Sequence, residues 1–289
     1  MCIRDRKEKI QFQEVRKGTR EHLRVKAERH YLGEDDFFHL EGGVEVVFPR
    51  KQKGEDVIIR SDSLVYDREF NHFWTTGTAR VQWADVEIKA GRIDYYAPQE
   101  VFTGKGEVEI TTADWSVAAA SFKLGVKSKK FECRGGVVLQ LVDFMATNNP
   151  LIVRAQELVY DRRTKIGLCQ GGVVLEHGAS QGQAGQIEFK LGAKESFIKW
   201  LALQDGVKLQ LRNEWNQKAA STLEDVSDWF FPESQEVEAG NIYMESFAQT
   251  KLIKIIKLTN KAITKFMSTN GRTSQVVGEK IEFLFTIIS

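Results

Sequence analysis

The residues with chemical reach in this chain are few and scattered. Cys133 and Cys169 each stand two residues ahead of a glycine pair, Gly135-Gly136 and Gly171-Gly172. They hold the same place in two copies of one pattern and both point to its apolar face. Two outcomes fit: a pair of buried thiols, the common state of free cysteine, or a cross-unit disulfide between Cys133 and Cys169. The disulfide needs an oxidising compartment and Cα atoms about 5.5 Å apart. The histidines His22, His30, His39, His72 and His177 share no ligand spacing and read as surface or strand-face residues rather than a metal site. Glu34, Asp35 and Asp36 fall in a turn. The run Lys123, Lys127, Lys129 and Lys130 has the charge to meet phosphate groups, and equally the composition of a solvated hairpin tip. Neither glycine pair opens a helix, which removes the phosphate-loop reading. Asp205 takes the place of a repeat glycine, and no inward acidic pair recurs on neighbouring segments. The expectation is a protein without catalytic residues, metal or cofactor.

What positions these residues is a repeat. Leu151 to His177 reads LIVRAQELVYDRRTKIGLCQGGVVLEH. Val153 and Ala155 alternate, then Leu158 and Tyr160; a polar turn follows at Asp161-Arg162-Arg163-Thr164; Gly171, Val173 and Leu175 alternate again. That is a hairpin with one apolar face. The same pattern returns at Ile59-Ser61-Leu64-Tyr66, Ile88-Ala90-Ile93-Tyr95, Val117-Ala119-Phe122-Leu124 and Val237-Ala239-Ile242-Met244. Two residues, not one, separate the small position from the next apolar one. Strict alternation would send the second pair to the opposite face, so a bulge or corner is expected there. The second strand is expected to begin at its glycine. One such hairpin cannot bury its own apolar face, so neighbours must stack on it.

Composition agrees with an all-β chain. Of 289 residues only 4 are proline, 42% are hydrophobic, and long apolar runs of period 3.6 are missing. Lys+Arg of 41 against Asp+Glu of 40 leaves +1, which argues against a nucleic-acid partner. MCIRDRKEKI has no apolar stretch of the signal or anchor type, and no run of about 18 apolar residues occurs anywhere. The expected division is 1–14 an unstructured or artefactual opening, 15–212 repeats, 213–234 a linker, and 235–289 further repeats. The chain stops within the apolar IEFLFTIIS, so it is expected to be truncated.

Units of the form V-x-A-x-x-L-x-Y-D followed by G-x-V-x-L resemble the OstA-like family, the periplasmic components of the lipopolysaccharide transport bridge (LptA, LptC and the N-terminal domain of LptD). The segments that carry the resemblance are VRAQELVYD with QGGVVLEH, IRSDSLVYD with TGTARVQW, and VEAGNIYM. It spans about Leu23 to Arg212 and Glu236 to the end, the first units closer to LptC and the later ones to LptA. The resemblance implies a twisted, repeat-built antiparallel β-jellyroll with an open apolar groove that shelters lipid A acyl chains. It also implies a periplasmic location, lipopolysaccharide or a related glycolipid as partner, and head-to-tail contacts with other such jellyrolls through end strands. No bond would be made or broken.

The groove residues expected on this reading are Phe38, Val44, Val81, Trp83, Ile88, Ile110, Leu139, Val153, Leu175, Phe189 and Leu209. Replacing Leu139 or Leu175 by aspartate is then expected to abolish lipid binding with the fold intact. Two other classes stay open: a structural β-solenoid that polymerises end to end, and a carbohydrate-active β-helix enzyme, which needs inward carboxylates on neighbouring rungs.

Overall fold

The computed structural model describes residues 10–15, 22–49, 56–141, 149–192, 198–212, 234–246, 253–267 and 273–284. The linker expected at 213–234 lies outside the described residues except for Ser234. Among the described residues there are nineteen strands and no helix, and every recorded strand pairing is antiparallel. The chain divides into two compact units, Met1–Gly135 and Gly136–Ser289.

The first unit contains β1 (Ile10–Val15), β2 (His22–Ala27), β3 (Arg29–Leu32), β4 (Phe38–Phe48), β5 (Val57–Asp67) and β6 (His72–Thr75). It continues with β7 (Ala79–Trp83), β8 (Val86–Ala90), β9 (Arg92–Tyr96), β10 (Val101–Thr111) and β11 (Trp115–Gly125). The next strand, β12 (Lys130–Leu141), starts within it. Long and broken strands alternate here. One half of β5 pairs with β7 and the other with β6; β10 is likewise shared between β8 and β9. Each long strand therefore bends in its middle, and its two arms pair with different short strands of one continuous sheet. The arms face each other. Phe48, on the arm of β4 that pairs with the start of β5, reaches Tyr95 at 4.4 Å and Phe102 at 6.2 Å between ring centres, on strands it does not pair with.

In the second unit follow β13 (Leu151–Asp161), β14 (Ile166–His177), β15 (Ser180–Leu191), β16 (Ile198–Arg212), β17 (Ser234–Ser246), β18 (Ile253–Met267) and β19 (Thr273–Leu284). These strands pair in sequence order. Every ladder from β13–β14 to β18–β19 shifts register in mid-strand, as between Arg154 and Glu157 or between Gln170 and Val173. The bulge expected between the small and the next apolar position is thus present, and it keeps Val153 and Leu158 on one buried face. One expectation needs correcting. The glycine does not open the second strand; β14 starts at Ile166, and Gly171-Gly172 lies at its bulge. The hairpin tip is held by Asp161, whose Oδ1 accepts from the Arg163 amide at 2.8 Å.

The corners share a backbone solution. Two successive residues take positive φ at Gly42-Gly43, Gly106-Glu107, Gly135-Gly136, Gly171-Gly172, Asp205-Gly206 and Asn260-Lys261. Across the ladder the first residue of five of these six pairs meets a neighbour so closely that only one side chain fits; the exception is Gly106, which faces Gly91 at an ordinary 3.7 Å. A Cβ on Gly171 would lie 2.7 Å from Gln156 Cβ, and one on Gly135 2.8 Å from Ala120 Cβ. Where the corner residue does carry a side chain, the neighbour is glycine. A Cβ on Gly185 would lie 2.7 Å from Asp205 Cβ, and one on Gly240 2.5 Å from Asn260 Cβ. This explains how Asp205 can replace the repeat glycine: Gly185 makes room for it.

Candidate functional site

The inward faces of the two arms are apolar, and in this structure they are packed on each other. Of the eleven expected groove residues, Val44, Val81, Trp83, Ile88 and Ile110 in the first unit are at most 2% exposed. In the second unit Leu139, Val153, Leu175 and Phe189 are at most 7% exposed. Phe38 and Leu209 are half-buried. The same face holds an aromatic cluster that the expected set missed. Phe73 stacks on Tyr66 at 4.3 Å, and Tyr95 on Phe102 at 4.3 Å. Trp83 and Trp115 both approach Phe131, at 5.9 and 6.3 Å. The signal was the alternation itself, since Phe73, Tyr95 and Phe102 keep the apolar phase of their arms. Small residues alternate with large ones across this face: Gly167 leaves the space that the Phe189 ring fills, and Gly104 does the same for Phe122.

The inward face becomes accessible at terminal strands. Val276 on β19 pairs with the fully buried Thr264 of β18, yet it is 43% exposed. Leu32 on β3 pairs with Phe38 and is 55% exposed. Among the described residues the ladder and contacts recorded for β19 are with β18, so its second edge is unmatched. The apolar face and an open ladder edge thus meet on one strand.

The other sequence candidates do not converge. His39 sits 3.1 Å from Asp35, and His72 lies 3.4 Å from Asp94. His177 is buried, and no group of three or more His, Cys, Asp or Glu placed to hold a metal occurs among the described residues. Lys123, Lys127 and Lys130 are exposed at the β11–β12 tip, where Lys129 adopts a φ of 56°. Asp35 and Asp36 are exposed in the β3–β4 turn. Among the described residues Asp67 is the single buried acidic side chain, and no helix is long and apolar enough to cross a membrane.

Cys133 and Cys169 are both fully buried and neither is in a disulfide, so of the two expected states it is buried thiols that this structure contains. Burial pushes the Cys133 thiol up to about 12, and thiolate is the reactive form. In a Cys2→Ser background, neither thiol should react with Ellman's reagent at mildly alkaline pH until denaturant is added. Fast labelling of the native protein would mean that the inward face opens on the timescale of the assay.

The burial pattern also revises one expectation about variants. Leu139 and Leu175 are core residues at 2% and 7% exposure, so aspartate at either position attacks the fold before it attacks any binding surface.

No family model and no curated protein matches this chain. Among solved structures it is similar to LptH from Pseudomonas aeruginosa, the LptA-homologous periplasmic component of the conserved lipopolysaccharide transport device. The TM-score is 0.33 at 10% sequence identity, and the match covers 36% of this chain and 75% of that chain.

Proposed function

We propose that this chain binds the acyl chains of lipopolysaccharide or a related glycolipid on its inward face. It hands the lipid on in the periplasm without covalent chemistry, joined through end strands to other jellyroll proteins. The observation that carries the reading is the inward face itself, apolar or small on nearly every strand of each unit and reaching solvent at terminal strands such as β19. The recurrence of the V-x-A-x-x-L-x-Y-D pattern supports it. An acyl chain that replaces side-chain contacts between the arms gains about 0.8 kcal/mol per buried CH₂. A chain of lipid A length therefore supplies enough to separate a pair of arms whose residues keep apolar company afterwards. Edge addition at β19 would extend the ladder and the apolar face together.

The test is photocrosslinking with purified lipopolysaccharide from a photoreactive residue at Leu139 or Leu175, with Gln140 on the opposite face as control. Adducts at the inward positions and not at Gln140 are expected. A folded protein that gives no adduct at either inward position removes lipid carriage and leaves the end-to-end scaffold reading.

A further inference from the structure

The exposed large apolar residues of the first unit gather at one edge. Tyr31 at 36% exposure, Leu32 at 55%, Phe70 at 67% and Tyr96 at 38% are its full set among the described residues. They stand on β3, on the β5–β6 turn and at the end of β9. The ladders bring these together: Leu32 pairs with Phe38, Phe38 with Tyr66, Asp67 with His72, and His72 with Tyr96.

This edge is held in place. The Phe70 and Glu69 amides donate to Asp67 Oδ1 at 3.1 and 2.9 Å, and the Ala97 amide donates to the Asn71 carbonyl at 3.1 Å. The most exposed ring among the described residues thus sits on a hydrogen-bonded turn that keeps it in water, a cost the fold carries without an internal return. Behind it the rings brace one another. His72 stacks on Tyr96 at 4.2 Å, Tyr31 on His39 at 4.9 Å, and Phe37 meets Trp74 edge-on at 5.2 Å.

On the strands beside these rings the charges pair off, Arg92 with Asp94 and Arg29 with Glu41, but the turns are one-sided. The three turns along this edge carry Glu34, Asp35, Asp36, Glu69 and Glu100 against Arg68 alone. The chain as a whole is +1, and the next turn of the same row carries Lys127 and Lys129. The acidic field is therefore a local property of the aromatic edge.

We infer that this edge, with Phe70 and Tyr96 as anchors and the turn carboxylates as rim, is a docking surface for a cationic amphipathic segment of a partner protein. Large apolar side chains of the segment would cover the exposed rings, and lysines or arginines among them would meet the carboxylates. Fixed aromatic anchors inside a charged rim are the usual anatomy of a protein interface, and their bracing lowers the ordering cost of binding. The same rim repels an anionic bilayer, so exposed aromatics here do not make a membrane anchor. The inference does not depend on the lipid reading.

The test uses the full chain and a fluorescent short amphipathic peptide of leucine and lysine, with a leucine–glutamate peptide of the same pattern as control. The lysine peptide should bind at least about tenfold tighter than the glutamate peptide and weaken with added salt. Phe70→Ser with Tyr96→Ser should weaken it by about tenfold or more. Glu34→Gln, Asp36→Asn and Glu69→Gln together should do the same and flatten the salt dependence, whereas Lys127→Gln should change nothing. All of these residues are exposed, so the circular dichroism should stay that of the parent. Equal binding of both peptides, or binding indifferent to Phe70 and Tyr96, overturns the inference. So does a Phe70-dependent association of another kind, whether pelleting with phosphatidylcholine–phosphatidylglycerol vesicles or sedimentation as a dimer.

Discussion

Gly171→Ala should destabilise the protein by roughly 2–4 kcal/mol, the sum of left-handed backbone strain and overpacking. Gly171 has a φ of 88°, and its Cβ would stand 2.7 Å from Gln156 Cβ and 2.9 Å from Gln156 Cγ. Gly172 separates the two costs. Its φ is 69°, yet nothing lies within 4 Å of where its Cβ would be. Gly172→Ala should therefore cost only about 1 kcal/mol, the backbone share. Adding Gln156→Gly to Gly171→Ala should recover the steric share and leave the backbone share. The mirror case is Gly185→Ala, which has no positive φ and collides only with Asp205. Asp205→Gly should remove the 2.7 Å clash with its Cβ and relieve an aspartate held at a φ of 65°, so it should recover most of the loss and leave only the 3.2 Å approach to the residue-205 carbonyl. Urea midpoints of these variants decide this. If Gly171→Ala and Gly172→Ala cost the same, the corners do not ration side chains in the way the geometry says.

The corner was legible in the sequence as a phase break. Val153-x-Ala155 followed by Leu158-x-Tyr160 keeps one face only if the strand bulges between them, and the ladder slips there. The all-β class and the stacking of hairpins followed from the same alternation. What alternation could not give was the length of the strands. Gly171 sits in the middle of β14 because Ile166 to Gln170, which read as turn and lead-in, pair residue by residue with Glu157 to Asp161. Nor could it give the division of roles at the edge of the first unit. Phe70 lies in a turn and Tyr96 beside one, where an exposed and a buried aromatic look alike in sequence. Only the ladder between Tyr96 and His72 shows that they share a surface. A sequence says which side of a strand a residue takes and not how tightly the opposite arm covers it. Val81 and Ile88 turn out to be wholly covered.

Leu139→Asp should cost more than any corner variant and should leave little folded protein at neutral pH. Leu139 is 2% exposed on β12, between Val137 at 1% and Leu141 at 5% on the same face. A carboxylate there loses water without gaining a partner, a penalty of several kcal/mol. The whole stability of such a domain is about 5–15 kcal/mol. The sign of the pH dependence follows. In the folded state the buried carboxyl holds its proton more tightly than in the unfolded chain, so the ionic share of the penalty is present at neutral pH. It disappears as pH falls toward the unfolded value of about 3.9. Leu139→Asp should therefore regain stability relative to the parent on acidification, while Leu139→Asn, polar but never charged, should show the same deficit at both pH values. Gln140→Asp, one residue along and on the outward phase, should change stability by no more than about 0.5 kcal/mol. Chemical denaturation of these three variants at neutral pH and near pH 5 is the measurement. A Leu139→Asp protein as stable as the parent at neutral pH would mean that the arms stand apart in solution and that the face is already open to a lipid. If it unfolds as expected, loss of lipid binding by this variant says nothing about where lipid sits. The binding site then has to be mapped with apolar replacements, such as Leu139→Met or a photoreactive side chain, that keep the arms together.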